Sequence, residues 1–133
     1  MALEPTRERV AAAAAEIVSA FAANDGERYF SLFAPDASFV FHPEPRRFDA
    51  RAEYEAAWQG WVDGGWRVLE CTSLDPLIQT FPGGAVFSHT VRTRVDTGTG
   101  AEEMYTERES IVFRGHEGGL LAVHEHLSLP SGE

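Results

Sequence analysis

The chain has 133 residues, 44% of them apolar and 24% charged, enough to fold around a real core and inconsistent with disorder. Arginine and lysine number 11 against 21 acids, a formal charge of −10, which argues against nucleic-acid or anionic-membrane partners, since phosphates need clustered cations. Cys71 has no second cysteine to pair with, so an internal disulfide is excluded and a reducing, cytoplasmic setting is expected.

The first predicted helix runs from about Thr6 to Ala23. Val10, Ala13, Ala14, Ile17, Val18 and Phe21 recur at helical spacing, Thr6 supplies an N-cap, and Asn24-Asp25-Gly26 ends it. Glu16 interrupts the alanine run that could mimic a signal peptide, and no stretch approaches the ~20 apolar residues that span a bilayer. A short helix over Glu27–Phe33 stops at Pro35, and Ser38–His42 follows as a strand closed by Pro43 and Pro45. Asp49 is placed to cap a third helix through about Asp63, whose Tyr54, Ala57, Trp58, Trp61 and Val62 share one face.

Everything after that helix alternates like strand. Trp66–Phe81 is interrupted at Asp75-Pro76, where a bulge is expected because proline cannot donate to a ladder. Val86–Asp96, Glu102–Arg114 and Leu120–Leu129 follow, each longer than the usual ~5–6 residues. Strands of that length must curl in so small a domain. The expected fold is therefore α+β, a cone-shaped barrel in which a strongly curved, mainly antiparallel sheet wraps around three N-terminal helices over residues 1–133.

The apolar faces of the last three strands each carry an ionisable residue. His89 lies among Phe87, Val91 and Val95, Glu109 beside Ile111 and Phe113, and Glu125 between Val123 and Leu127. A core does not accept carboxylates cheaply, so acids in such positions suggest a pocket. With three-residue turns at Gly98-Thr99-Gly100 and His116-Glu117-Gly118, His89 faces Glu109 and Glu109 faces Glu125. Two carboxylates ~5 Å apart repel unless one holds a proton, which tunes one towards acid–base work near neutrality.

Other readings of the same residues stand beside this one. A longer final turn sets Glu109 opposite His126 and turns Glu125 towards solvent or an ion pair with a residue such as Arg108. His124 and His126 have the spacing of two zinc ligands, but no third ligand is evident, and no metal is expected. No glycine-rich phosphate loop or nucleophile elbow occurs, and no cofactor is expected. Phe41, Tyr54 and Trp58 are the aromatic candidates for a pocket wall; His42, just before Pro43, reads as a surface-turn histidine or, in the alternative, as a residue at the pocket mouth.

The element order, the segment Tyr29-Phe30-Ser31-Leu32-Phe33-Ala34-Pro35-Asp36-Ala37 and the terminal Val123-His124-Glu125-His126-Leu127-Ser128 resemble the SnoaL-like branch of the nuclear-transport-factor-2-like superfamily. Phe41-His42-Pro43-Glu44 and the terminal strand are also similar to the association domain of calcium/calmodulin-dependent kinase II. The resemblance implies a cone-shaped barrel that commonly pairs as a homodimer through the outer sheet face. It also implies that Val91, Ile111 and Leu127 line a pocket, since they match positions where the kinase domain carries arginines; their replacement removes that anion site. Ketosteroid isomerases, dehydratases, polyketide cyclases and non-enzymatic binders share the fold.

Two function classes follow. One is a cofactor-independent isomerase, cyclase or dehydratase that uses Glu109, Glu125 and His89 on a small apolar molecule. The other is a non-catalytic ligand-binding or homo-oligomerisation module.

Overall fold

Thr6 stands in extended backbone and its hydroxyl accepts the Arg9 N–H, which opens α1 (Arg7–Ala22). The structure is a computed structural model that describes residues 4–131. α1 buries Val10, Ala14, Ile17 and Ala20 along one face. Asp25 caps the short α2 (Gly26–Ser31) through the Arg28 N–H, and α2 buries Tyr29 and Phe30.

β1 (Phe33–Phe41) begins earlier than the sequence suggests, directly after α2. Phe33 pairs with Ala122 and Ser38 with His124, and the register shifts between them. Pro35 falls inside that irregular stretch, where no regular ladder bond is required of it. α3 (Arg51–Asp63) also starts differently, because Ala50 holds the cap position and makes no side-chain cap bond. Asp49 lies one residue too early to cap; its carboxylate takes Arg47 Nε at 2.5 Å, while Glu53 accepts the Asp49 N–H.

The remaining strands are β2 (Arg67–Phe81), β3 (Gly84–Asp96), β4 (Glu102–His116) and β5 (Gly119–Ser128). They form one curled sheet in the order β1-β5-β4-β3-β2, antiparallel except where β1 runs parallel to β5. Asp75 has φ 51° and the β2–β3 register shifts between Leu74 and Leu77, the irregularity expected at Asp75-Pro76. The helices pack on the sheet through Phe33, Phe39, Phe87, Ile111 and Phe113, which meet Val10, Tyr29, Tyr54 and Trp58 in one core.

Register decides which side chains meet. The β3–β4 turn is as expected: Thr97 N–H donates to Ala101, and His89 faces Glu109. The β4–β5 connection is not. His116 pairs with Gly119, so the turn is one residue shorter than the three-residue loop, with Gly118 at φ 89°. A second offset arises at Val123, where a bulge separates the Val112–His124 and Phe113–Ala122 pairs.

Together these offsets shift the expected register by two residues. Glu109 faces Leu127 rather than Glu125 or His126, and Ile111 faces Glu125 rather than Val123. A two-residue shift preserves the side of the sheet, so Glu109 and Glu125 still share the concave face as diagonal neighbours. On the turn side of the bulge the side is reversed. Ala122, expected outside, is fully buried in the core, and Val123 is half-buried.

Candidate functional site

The helices do not fill the whole concave side of the sheet. They leave a cavity of about 480 Å³ whose lining draws on α1, α2, α3 and all five strands. Its walls are chiefly apolar, with Ile17, Phe21, Phe41, Trp66, Val91 and Leu127 among them. His42, Pro43 and Tyr105 are the exposed lining residues and mark its mouth.

Three buried glutamates interrupt this lining. Glu107, Glu109 and Glu125 are 8%, 8% and 3% exposed, far less than a carboxylate usually tolerates without a partner. Glu107 and Glu109 follow the period-two alternation of β4, and Glu125 enters from β5. His89 reaches Glu109 Oε1 through Nε2 at 2.6 Å, while its Nδ1 lies 2.6 Å from Ser73 Oγ on β2. Tyr29 donates its hydroxyl to Glu125 Oε1 at 3.4 Å and sits 3.0 Å from the Tyr54 hydroxyl. At the mouth, His42 Nε2 lies 2.5 Å from Glu107 Oε2.

The electrostatics follow from burial. Desolvation pushes the Glu125 carboxyl well above the usual carboxylate range, and the neighbouring Glu109 charge pushes it further. Glu109 is also raised by burial, but its hydrogen bond with Glu125 lowers it in turn. Burial drives His89 down to about 4, against the opposing pull of Glu125, so its ring is neutral at neutral pH.

Burial raises both carboxyls, Glu125 the more strongly, so Glu125 is the member that holds a proton more readily. His89 bridges Glu109 and Ser73 through its two ring nitrogens. Two carboxyls of unequal proton affinity thus share a largely apolar cavity, backed by Tyr29 and His89. Such a pair can take a proton from one atom of a bound molecule and return one to another without changing its own net charge.

Of the sequence candidates, Glu109, Glu125, Phe41, Tyr54, Val91 and Leu127 line the cavity. His89 does not; its side chain is fully buried behind Glu109. Trp58 and Ile111 also lie behind the lining, as core residues at 6% and 0% exposure. Trp58 stacks on Tyr29 at a 5.3 Å ring separation, facing α2 rather than the cavity.

Several participants were missed. Glu107 is two residues from Glu109 on the same alternating face, a signal open to reading. Tyr29 carries only a helix-motif signal in the sequence, and His42 is found at the mouth, the alternative to a surface turn; only folding brings them to Glu125 and Glu107. Cys71 lines the cavity too, but burial pushes its thiol up to about 11, which leaves no thiolate nucleophile at neutral pH. His124 is engaged by Ser38 Oγ at 2.8 Å, and the described residues contain no group of three or more potential metal ligands.

A five-stranded, mostly antiparallel sheet curled around N-terminal helices, open at one end into a cavity, defines the cone fold of nuclear-transport-factor-2-like proteins. The SnoaL-like domain model matches residues 10–132, and the chain belongs to that family. Among solved structures it is similar to an NTF2-like protein from Cytophaga hutchinsonii, with 15% identity, 95% of this chain and 99% of that chain covered, and a TM-score of 0.81. It is also similar to an NTF2-like superfamily protein from Salmonella enterica, with 21% identity, 93% and 90% coverage and a TM-score of 0.78. The CaMKII hub homology domain of Chlamydomonas reinhardtii matches with 22% identity, 93% and 98% coverage and a TM-score of 0.74. At these identities the likeness is one of fold. No curated protein matches the chain.

Proposed function

We propose that this protein is a cofactor-independent acid–base catalyst, of isomerase, cyclase or dehydratase type, acting on a small molecule with an apolar body. The observation that carries the reading is the Glu109–Glu125 pair, two buried carboxyls with raised proton affinity on the wall of an apolar cavity. Glu109 removes a proton from substrate carbon, and Glu125 delivers its own to the atom that gains electron density. In an isomerisation that atom is part of the product; in a dehydration it is the hydroxyl that departs as water. Either way the pair ends with its proton on Glu109 and resets by passing it back to Glu125.

Tyr29 and His89 are positioning residues in this scheme. Tyr29 orients the acid, and His89, fixed by Ser73, orients the base. The apolar lining excludes water, which strengthens both interactions and protects a carbanionic intermediate from quenching.

Hydrophobic cyclic ketones incubated with the protein in D2O test the reading, with proton NMR following loss of signal next to the carbonyl. Exchange above background is expected for the wild type, and Glu109→Gln should lower it by about 100-fold or more. No exchange with any ketone would favour the alternative, a non-catalytic binding or assembly module.

The outer face of β4 and β5 bears on assembly. Arg108, Ser110, Val112, His124, His126 and Ser128 alternate outwards there, a compact mixture of polar and modest apolar groups. That composition suits a self-complementary surface, and we assign it to a homodimer. The hub homology domain among the similar folds is consistent with this assignment.

A further inference from the structure

The charge of the cavity wall is one-sided. Glu44, Glu107, Glu109 and Glu125 line it, and among the described residues no arginine does. The sequence contains no lysine. The arginines of α2 and α3, two helices that contribute to the lining, are engaged elsewhere: the Arg51 guanidinium donates to the carbonyls of Phe30 and Phe33, and Arg28 pairs with Glu16 at the surface. His89 is neutral, so it supplies Glu109 with a hydrogen bond but no counter-charge. Buried carboxylates are normally balanced by a cation. Here the basic side chain in the lining is the His42 imidazole, paired with Glu107 Oε2 at the mouth, and no arginine reaches Glu109 or Glu125.

Glu107 shows where the missing charge belongs. It is 8% exposed, and His42 takes only its Oε2; Oε1 has no hydrogen-bond partner among the described residues. Aromatic rings form much of the same cavity wall, with Phe41, Tyr54, Trp61, Trp66 and Tyr105 all in its lining. Aromatic faces attract cations as well as apolar groups. A volume near 480 Å³ suits a small-ligand site.

We infer that the cavity recognises a hydrophobic amine in its ammonium form, with Glu107 binding the charge and the aromatic walls enclosing the apolar body. This rests on the acid–base reading above and narrows its substrate class. Glu107 and Glu109 lie two residues apart on one face of β4, about 6.6 Å along the strand. An ammonium held at Glu107 therefore lies one short carbon chain away from the Glu109–Glu125 pair. The proton-transfer machinery stays free, and the cation fixes which carbon meets it. A carboxylate ligand is repelled by every ionised group on the wall, and a neutral ligand leaves Glu107 Oε1 without a charged donor.

Three probes of one shape test this by calorimetry on the wild-type protein at neutral pH: naphthylmethylammonium, naphthylmethanol and naphthoate. The ammonium should bind about tenfold or more tightly than the alcohol, and naphthoate most weakly. Glu107→Gln, which keeps the side-chain shape, should bring the ammonium down to the affinity of the alcohol. Equal or tighter binding of the alcohol or the carboxylate overturns the inference while leaving the proton-transfer reading intact. A preference for ammonium that survives Glu107→Gln overturns the assignment of Glu107. Failure of all three probes to bind overturns the inference together with the pocket reading. An ammonium preference without proton exchange in any ketone supports the inference and removes catalysis alone.

Discussion

Glu125 holds its proton in the folded protein at a pH where the unfolded chain releases it, because burial has raised its pKa well above 4.5. A raised folded value stabilises fully below the unfolded value, and that contribution is lost as pH rises towards the folded one. Glu125→Gln keeps the shape, accepts from Tyr29 and donates to Glu109, yet has no proton to lose. Urea melts should therefore show the variant more stable than wild type at pH 8 by on the order of 1 kcal/mol, with a smaller gain at pH 5. Equal destabilisation at both pH values would mark Glu125 as a purely structural partner. The same exchange should abolish proton transfer, so that stability rises as function falls. Glu109 and Glu125 were legible in the sequence because each sits on an apolar alternating face. Their acid and base roles were not, since these depend on Tyr29 from α2 and on the burial of His89.

Among the secondary elements, the β3–β4 turn has a tighter fit than its sequence suggests. Gly98 has φ 87°, and a Cβ there would lie 2.3 Å from the Gly64 carbonyl at the end of α3. Gly100 has nearly the same φ, 88°, but meets nothing within 4 Å. The two positions separate backbone strain from collision. Gly100→Ala should cost about 1 kcal/mol, the penalty of the left-handed conformation alone. Gly98→Ala should cost about 3 kcal/mol or more, because α3 or the turn must move as well. Thermal melts of both variants check the difference. The helices, the strands and the Asp75 irregularity could be read from periodicity and turn residues. The β4–β5 register could not: a bulge at Val123 replaces no residue type and breaks no pattern, yet it moves every pair beyond it.

For the whole molecule, the curled sheet exposes one face to the helices and the other to whatever lies outside. The outer residues of β4 and β5 are small, polar or modestly apolar, and Ser110, Val112, His124 and Ser128 are only partly exposed. Light scattering at micromolar concentration is expected to give about twice the chain mass of 14.7 kDa. A strict monomer would remove the dimer assignment. No described helix is long and apolar enough to cross a membrane. Fold-level likeness is strong while identity stays low, so architecture was the most legible property of the sequence and ligand choice the least.

The parallel pairing of β1 with β5 also sets the order in which the molecule can form. Phe39 bonds alongside Glu125, whereas β2 to β5 join through successive short turns. During synthesis the meander can begin to pair as it emerges, but β1 must wait for the final strand. Until then the apolar undersides of α1 and α2 have no completed wall to cover them. Tyr29 meets Glu125 at the same late moment. The carboxyl pair is thus completed by the last docking event, and a chain that stalls before it exposes a naked strand edge and an unfinished cavity.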